Sequence, residues 1–165
     1  MPLPLRTERL LLRPPVLEDL DAWLAILRDA EEVWYGAARS SEDDARASLM
    51  RHVIHHERYG WGICAAELRA TGKVIGAAGI THMEDGPELE VGYRFRKEHW
   101  GQGLATEAAA ASIAFGFGEL GLDRIVAVAL PTNKASRRVM EKCGLSFVGV
   151  TEAYGEAQVK YAIAR

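Results

Sequence analysis

Trp100-Gly101-Gln102-Gly103-Leu104-Ala105-Thr106 stands between a strand-like segment ending at Phe95 and an alanine-rich segment with the composition of a helix. Glycines at 101 and 103 lack a Cβ, so the backbone there can turn tightly and approach a ligand closely. Ala105 keeps the next position small. A helix starting near Gly103 offers unpaired N–H groups and the positive end of its dipole, which suits a pyrophosphate. Thr106 adds a hydroxyl. Gln102, Gly103, Leu104, Ala105 and Thr106 are therefore candidate phosphate-binding residues, although the same residues also fit a plain glycine turn into a helix. Two other nucleotide motifs fit worse. A dinucleotide fingerprint wants a small residue where Thr106 stands, inside a first βαβ unit. A P-loop wants Gly-Lys-Ser/Thr, which the sequence lacks.

Upstream, the pattern is of strands. Trp61–Leu68 and Lys73–His82 flank Ala70-Thr71-Gly72, a hairpin turn. After an acidic turn over Met83–Pro87, Glu88–Phe95 alternates: Leu89, Val91, Tyr93 and Phe95 on one face, Glu88, Glu90, Gly92 and Arg94 on the other. These three segments predict an antiparallel meander. Earlier still, Arg9–Arg13 reads as a short strand stopped by Pro14-Pro15. Val16–Arg28 carries Leu17, Leu20, Trp23, Leu24 and Leu27 at helical spacing, and Trp34-Tyr35-Gly36 reads as loop. Ser41 followed by Glu42, Asp43 and Asp44 starts a second helix, running to about His56.

Downstream, helix and strand alternate. Gly103–Leu120 is a helix closed by Gly121, Arg124–Leu130 an apolar strand, and Asn133–Cys143 a helix closed by Gly144. Leu145–Thr151 and Val159–Ile163 are the last strands. That order predicts a crossover region with parallel pairing. Without repeats or linkers, residues 1–165 read as a single mixed α/β domain.

Composition sets bounds. Of 165 residues, 48% are hydrophobic and 26% charged, as in a soluble globular protein. A formal charge of −3 argues against a nucleic-acid binder, which needs a dense basic surface. Cys64 and Cys143 lie far apart in no metal spacing and read as reduced thiols. The N-terminus lacks the apolar core of a signal peptide, and the run Ala108–Gly118 is too short to span a bilayer. The expectation is a cytoplasmic protein with no membrane partner. His52, His55 and His56 share helical spacing but lack a metal-site signature, so they read as a polar helix face and no metal is expected.

Pro131-Thr132-Asn133-Lys134-Ala135-Ser136 follows the apolar strand. The Asn133 amide both donates and accepts, and Ser136 lies one helical turn later on the same face. They suit an amide-rich ligand, or simply cap the helix. Lys134, Arg137, Arg138 and Lys142 make this helix basic, with Glu141 placed to pair with Arg137 or Arg138.

Together these pieces resemble the GNAT superfamily of N-acetyltransferases, in particular its RimJ- and RimL-like branch, which acetylates ribosomal-protein N-termini. The resemblance is carried by Thr7-Glu8-Arg9-Leu10-Leu11-Leu12-Arg13-Pro14, Glu90-Val91-Gly92-Tyr93, Trp100 through Ala108, Gly121-Leu122-Asp123-Arg124-Ile125, and Asn133-Lys134-Ala135-Ser136 through Glu141-Lys142-Cys143-Gly144-Leu145. Trp100 and Leu145 depart from the superfamily's usual Arg or Gln and Phe. The resemblance implies a mixed, mostly antiparallel sheet of about seven strands flanked by about four helices and splayed between the fourth and fifth strands. It implies acetyl-CoA as co-substrate. Pantetheine would lie in the splay along Tyr93, Arg94 and Phe95, pyrophosphate would sit on Gln102–Ala105, and Asn133 and Ser136 would face the pantetheine arm. The short C-terminus implies a short substrate wall.

Acetyl transfer to an amine needs a base, a stabilised oxyanion and a proton for the leaving thiolate. Glu90 is the expected base, with Glu88 on the same strand face as its runner-up. A backbone N–H near Tyr93 would polarise the thioester. Ser136 is the expected acid and Tyr154 the second candidate. Trp34 and Tyr35 would line the acceptor pocket. The leading acceptor is the α-amine of a protein or peptide N-terminus; a small amine such as an aminoglycoside, polyamine or amino-acid derivative is the alternative, and a non-catalytic acyl-CoA sensor a third reading. Strand edges near the C-terminus admit a homodimer.

Overall fold

The computed structural model describes residues 3–165. In chain order the strands are β1 Leu5–Arg6, β2 Leu10–Arg13, β3 Ile63–Leu68, β4 Lys73–His82, β5 Leu89–Phe95, β6 Arg124–Ala129, β7 Ser146–Ala153 and β8 Glu156–Ala164. The helices are α1 Leu20–Tyr35, α2 Glu42–Tyr59, α3 Leu104–Gly118 and α4 Lys134–Lys142. One sheet takes all eight strands in the order β1-β2-β3-β4-β5-β6-β8-β7. The eighth strand is the two-residue β1, too short to show an alternation in sequence.

The β3-β4-β5 meander is antiparallel, as its turns predict. Its alternation sorts the two faces. Val91 and Phe95 pack against α3, Val91 in a cluster with Ala109 and Ile113, Phe95 with Leu104 and Ala108. On the other face Ala65 and Ala77 meet Trp23 of α1 and Leu49 of α2. Gly79 is the tightest point between strands: a Cβ there would stand 2.2 Å from the Gly62 carbonyl oxygen.

Several boundaries differ from the sequence reading. A short 3-10 turn at Leu17–Asp19 precedes α1, which then runs on to Tyr35. Nothing in the chain stops it before Gly36, whose φ of 79° closes the helix, so Trp34 and Tyr35 form its last turn and are not loop. Ser41 does cap α2, accepting from the Asp44 amide, but the helix continues past His56 to the left-handed Gly60. The expected crossover with parallel pairing is present at β5–α3–β6, but the last strands pair differently. β8 inserts between β6 and β7 and runs antiparallel to both, so the one parallel contact among the described residues joins β5 to β6. No helix among those residues is long and apolar enough to cross a membrane.

The histidines of α2 do not form a polar face. His56 is buried with Nε2 3.0 Å from the Ile63 carbonyl oxygen. His55 lies in a ring cluster with Tyr59, Trp61 and His82, and the His52 ring lies 5.6 Å from that of Trp23. Packing of α2 on the sheet turns them inward, which helical spacing alone does not reveal. Cys64 is buried and its thiol pushed up to about 12 by that burial, while Cys143 is half-buried; neither is in a disulfide.

Candidate active site

β5 and β6 are joined by one registered pair, Glu90 with Val126. Beyond it the strands diverge, and the Tyr93–Phe95 half of β5 is paired on the β4 side only. The gap points toward the start of α3. This is the splay expected between the fourth and fifth strands, here β5 and β6 once β1 is counted.

Gly101 and Gly103 both take left-handed backbone, φ 76° and 79°, which a residue with a Cβ adopts at a cost of roughly 1–2 kcal/mol. No side chain caps α3 at Gly103, whereas Ser41 and Asn133 cap α2 and α4. The first amides of α3, from Leu104 to Thr106, thus lie at a bare positive helix end. The loop before them is fixed from outside. Arg9 donates from Nη1 to the Gln102 carbonyl oxygen at 2.8 Å and from Nε to Glu107 at 2.7 Å. Glu107 also accepts from the Thr7 hydroxyl at 2.6 Å and the Arg9 amide at 2.7 Å. Burial alone would raise this carboxyl; the hydrogen bonds from Thr7 and Arg9 outweigh it and hold the pKa low. Trp100 donates its indole N–H to the Phe95 carbonyl oxygen at 2.8 Å, so that carbonyl already has a partner, and the Phe95 side chain is core.

Across the gap, Asn133 accepts from the Ser136 amide at 3.0 Å, the capping role that its sequence position allowed. The Ser136 hydroxyl lies 2.9 Å from the Tyr93 hydroxyl, which also donates to the Ser136 carbonyl oxygen at 3.0 Å. Burial pushes the Tyr93 hydroxyl up to about 12, partly opposed by the bond to Ser136. Along the basic helix, Arg137 donates to the Tyr161 hydroxyl and the Pro131 carbonyl, and Glu141 accepts from Tyr161. Among the described residues Glu141 thus accepts from Tyr161 of β8 and makes no ion pair with Arg137 or Arg138.

Glu90 lies on the opposite face of β5 from Tyr93. It is 7% exposed, and burial pushes its carboxyl up to about 7; a hydrogen bond from Tyr154 opposes the rise and the Glu84 charge adds to it. Tyr154 donates its hydroxyl to Glu90. It sits at the tip of the β7–β8 hairpin with φ 54°, and its amide donates to Glu84 at 2.5 Å. That hairpin is a C-terminal wall reaching the carboxylate, where the chain's short end predicted little. Glu88 is spoken for: Lys160 at 2.5 Å and Arg124 at 3.1 Å both bind it. The hydrogen bond from Lys160, chiefly, holds its pKa below the usual carboxylate range, so it is a poor base near neutral pH.

At the end of α1, Trp34 is half-buried and Tyr35 exposed. The Tyr35 hydroxyl donates to Glu156 on β8 at 2.9 Å, and the Arg39 guanidinium lies 4.8 Å from its ring centre. These residues and the β7–β8 hairpin border the face of β5 that carries Glu90. No group of three or more His, Cys, Asp or Glu among the described residues is placed to hold a metal.

Sequence reasoning did not find three of these partnerships: Tyr93 with Ser136, Tyr154 with Glu90, and Arg9 with Glu107. Partners 43, 64 and 98 residues apart leave no spacing signal.

A family model described as an acetyltransferase (GNAT) domain matches residues 9–146. The uncharacterized N-acetyltransferase YoaA of Bacillus subtilis is 33% identical over 156 residues, covering 91% of this chain and 86% of that one. Among solved structures, an acetyltransferase from Agrobacterium tumefaciens superposes with a TM-score of 0.84 at 28% identity, covering 98% of this chain and 94% of that one. The ribosomal L7/L12 α-N-protein acetyltransferase RimL, solved with coenzyme A, shares the fold with a TM-score of 0.77 at 16% identity over 96% and 95% of the two chains. The chain belongs to the GNAT acetyltransferase family.

Proposed function

We propose that this protein transfers an acetyl group from acetyl-CoA to a primary amine, most fittingly the α-amine of a protein or peptide N-terminus. The observation that carries the reading is Glu90, a buried carboxyl beside the splay whose pKa is pushed up to about 7. A base with that affinity suits an α-amine, whose reference pKa is about 7.7–8.0, far better than a lysine at about 10.4. The same acceptor is suggested by analogy with RimL, an α-N-protein acetyltransferase of ribosomal L7/L12 that shares this fold.

The residues take these roles. The bare amides at Leu104–Thr106 receive the pyrophosphate, and the splay receives pantetheine with its thioester between Glu90 and Ser136. Glu90 accepts a proton from the amine, directly or through water, and the amine nitrogen attacks the thioester carbon. A backbone N–H near Tyr93 steadies the oxyanion. As the C–S bond breaks, the Ser136 hydroxyl, held by Tyr93, gives its proton to the thiolate; the Ser136–Tyr93 pair then takes a proton from solvent and Glu90 releases the amine's proton to solvent, which closes the cycle. Tyr154 orients Glu90.

A small amine is the second reading. It is favoured by the contacts of Tyr154 with Glu84 and of Tyr35 with Glu156, which bring the hairpin down over the acceptor side and narrow it. Thiol release from acetyl-CoA, measured across peptides of varied first residue and a panel of small amines, separates the readings. Turnover confined to peptides supports the first and turnover confined to small amines the second. Binding of acetyl-CoA with no transfer to any acceptor would replace both with a sensor.

A further inference from the structure

Arg94, four residues along β5 from Glu90, carries a charged side chain for which the transfer chemistry has no use. Its cross-strand neighbour is Ala77, and Ala77 packs toward Trp23. Directly opposed residues share a face, so Arg94 projects on the α1–α2 side, the side of Glu90. The same follows along the strand, since residues 90, 92 and 94 share one face. Gly92 stands between the two charges, half-exposed and without a side chain, bordered there by the tip of Ile63.

The guanidinium is open to solvent, yet the protein around it lowers its pKa through desolvation, as on the wall of a cleft. It has no hydrogen bond or ion pair among the described residues. That sets it apart from its neighbours: Arg13, Arg96 and Arg124 each hold a carboxylate within 3.1 Å. The carboxylate nearest in charge, Glu31, is committed elsewhere, accepting from the amides of Arg39 and Ser40 at 3.0–3.2 Å. Tyr35 feels both Arg94 and Arg39. The acceptor side thus carries two arginines without an acidic partner at hydrogen-bond distance. An arginine fork of this kind recognises a carboxylate through two parallel hydrogen bonds.

We infer that Arg94 is an anion subsite for the acceptor: it holds a carboxylate of the molecule whose amine faces Glu90. The inference rests on the reading of Glu90 as the acceptor-side base. Four residues of strand separate the two by about 13 Å between Cα atoms. Their side chains, reaching toward each other, leave a span of one to three extended residues at about 3.3–3.6 Å each. A short peptide segment ending or branching in a carboxylate fits, as does an ω-amino acid of that length.

Two acceptor pairs test this: trialanine against its C-terminal amide, and 6-aminohexanoate against hexylamine. The first pair reports a peptide source and the second a small molecule. With acetyl-CoA saturating, the acid of at least one pair should exceed its neutral partner about tenfold in kcat/KM, the gain expected of one charge-assisted contact. Arg94→Gln should bring that ratio to near one, and Arg94→Lys should keep part of it. Calorimetric binding of trialanine and 6-aminohexanoate to the coenzyme A complex gives a second readout that needs no turnover. Arg94-dependent binding without any transfer would overturn the base assignment and leave the subsite standing. Acid preference that is absent, or that survives Arg94→Gln in both readouts, overturns the subsite.

Discussion

Replacing Glu90 by Gln should damage activity while making the fold more stable at alkaline pH. The Glu90 carboxyl rises from an ordinary 4.5 to about 7 in the folded protein, chiefly through burial. Below pH 4.5 folded and unfolded chains both carry the proton, and the stabilisation from the buried neutral acid is fully present. As pH rises toward 7 the unfolded chain loses its proton first, so the stabilisation from the buried neutral acid fades, and above 7 it is gone. At 1.36 kcal/mol per pH unit, the folded wild type loses about 2.5 kcal/mol between pH 5 and pH 8 on this account. Gln is nearly isosteric, can still accept from Tyr154 and does not titrate. In a domain of this size 1 kcal/mol shifts Tm by about 2–4 °C, so the Tm of Glu90→Gln minus that of wild type should grow by about 5–10 °C from pH 5 to pH 8. Calorimetry in matched buffers measures it. In the thiol-release assay kcat/KM should fall about 10²–10⁴-fold, the usual contribution of a general base, and the acid limb near pH 7 should disappear. A Tm difference that stays flat with pH would refute the burial argument; kcat/KM within twofold of wild type would remove Glu90 from the chemistry.

The remaining predictions concern its surroundings. Tyr154→Phe deletes the hydrogen bond that opposes the rise at Glu90, so the acid limb of kcat/KM should move to higher pH; an unmoved limb would show that the hydroxyl does not act on the carboxyl. Tyr93→Phe frees the Ser136 hydroxyl from its partner and should lower kcat about tenfold, Ser136→Ala should lower it further, and the double variant should match Ser136→Ala. Additive losses would mean that the two hydroxyls act separately. Glu107→Gln cannot satisfy Thr7 and Arg9 together, so the loop before α3 loosens. KM for acetyl-CoA should rise about tenfold and stability fall by about 2 kcal/mol, read by initial rates and urea unfolding. An unchanged KM would detach this network from the phosphate cradle.

The Trp100–Thr106 stretch was readable because its demands are local. Two glycines with positive φ, a small third position and an apolar helix behind them make a turn at a bare helix end, which Arg9 and Glu107 then hold in place. The meander was readable for the same reason, since period-two alternation and a short turn bring neighbouring strands together. Errors arose where a boundary depended on a cap further along, as at Gly36 and Gly60, or where a late strand chose its partner. Nothing within Glu156–Ala164 says that it will insert between β6 and β7, because that is settled by which edges remain open when it arrives.

Residue chemistry at the site divides in the same way. Glu88 and Glu90 are equal in sequence, two carboxylates on one strand face. Tertiary structure alone separates them, placing Lys160 and Arg124 on the first and burial with Tyr154 on the second. By itself the sequence determined the glycine turn into α3, the meander and the family they resemble, because backbone conformation and strand pairing over short loops are set by near neighbours. Which carboxyl is held near neutral pH, which hydroxyl supports Ser136 and which arginine stands without a partner were decided by the tertiary structure. Charge and proton affinity depend on what lies within a few ångströms, and in this fold the groups bonded to Glu88, Glu90 and Tyr93 come from residues 36 to 72 positions away.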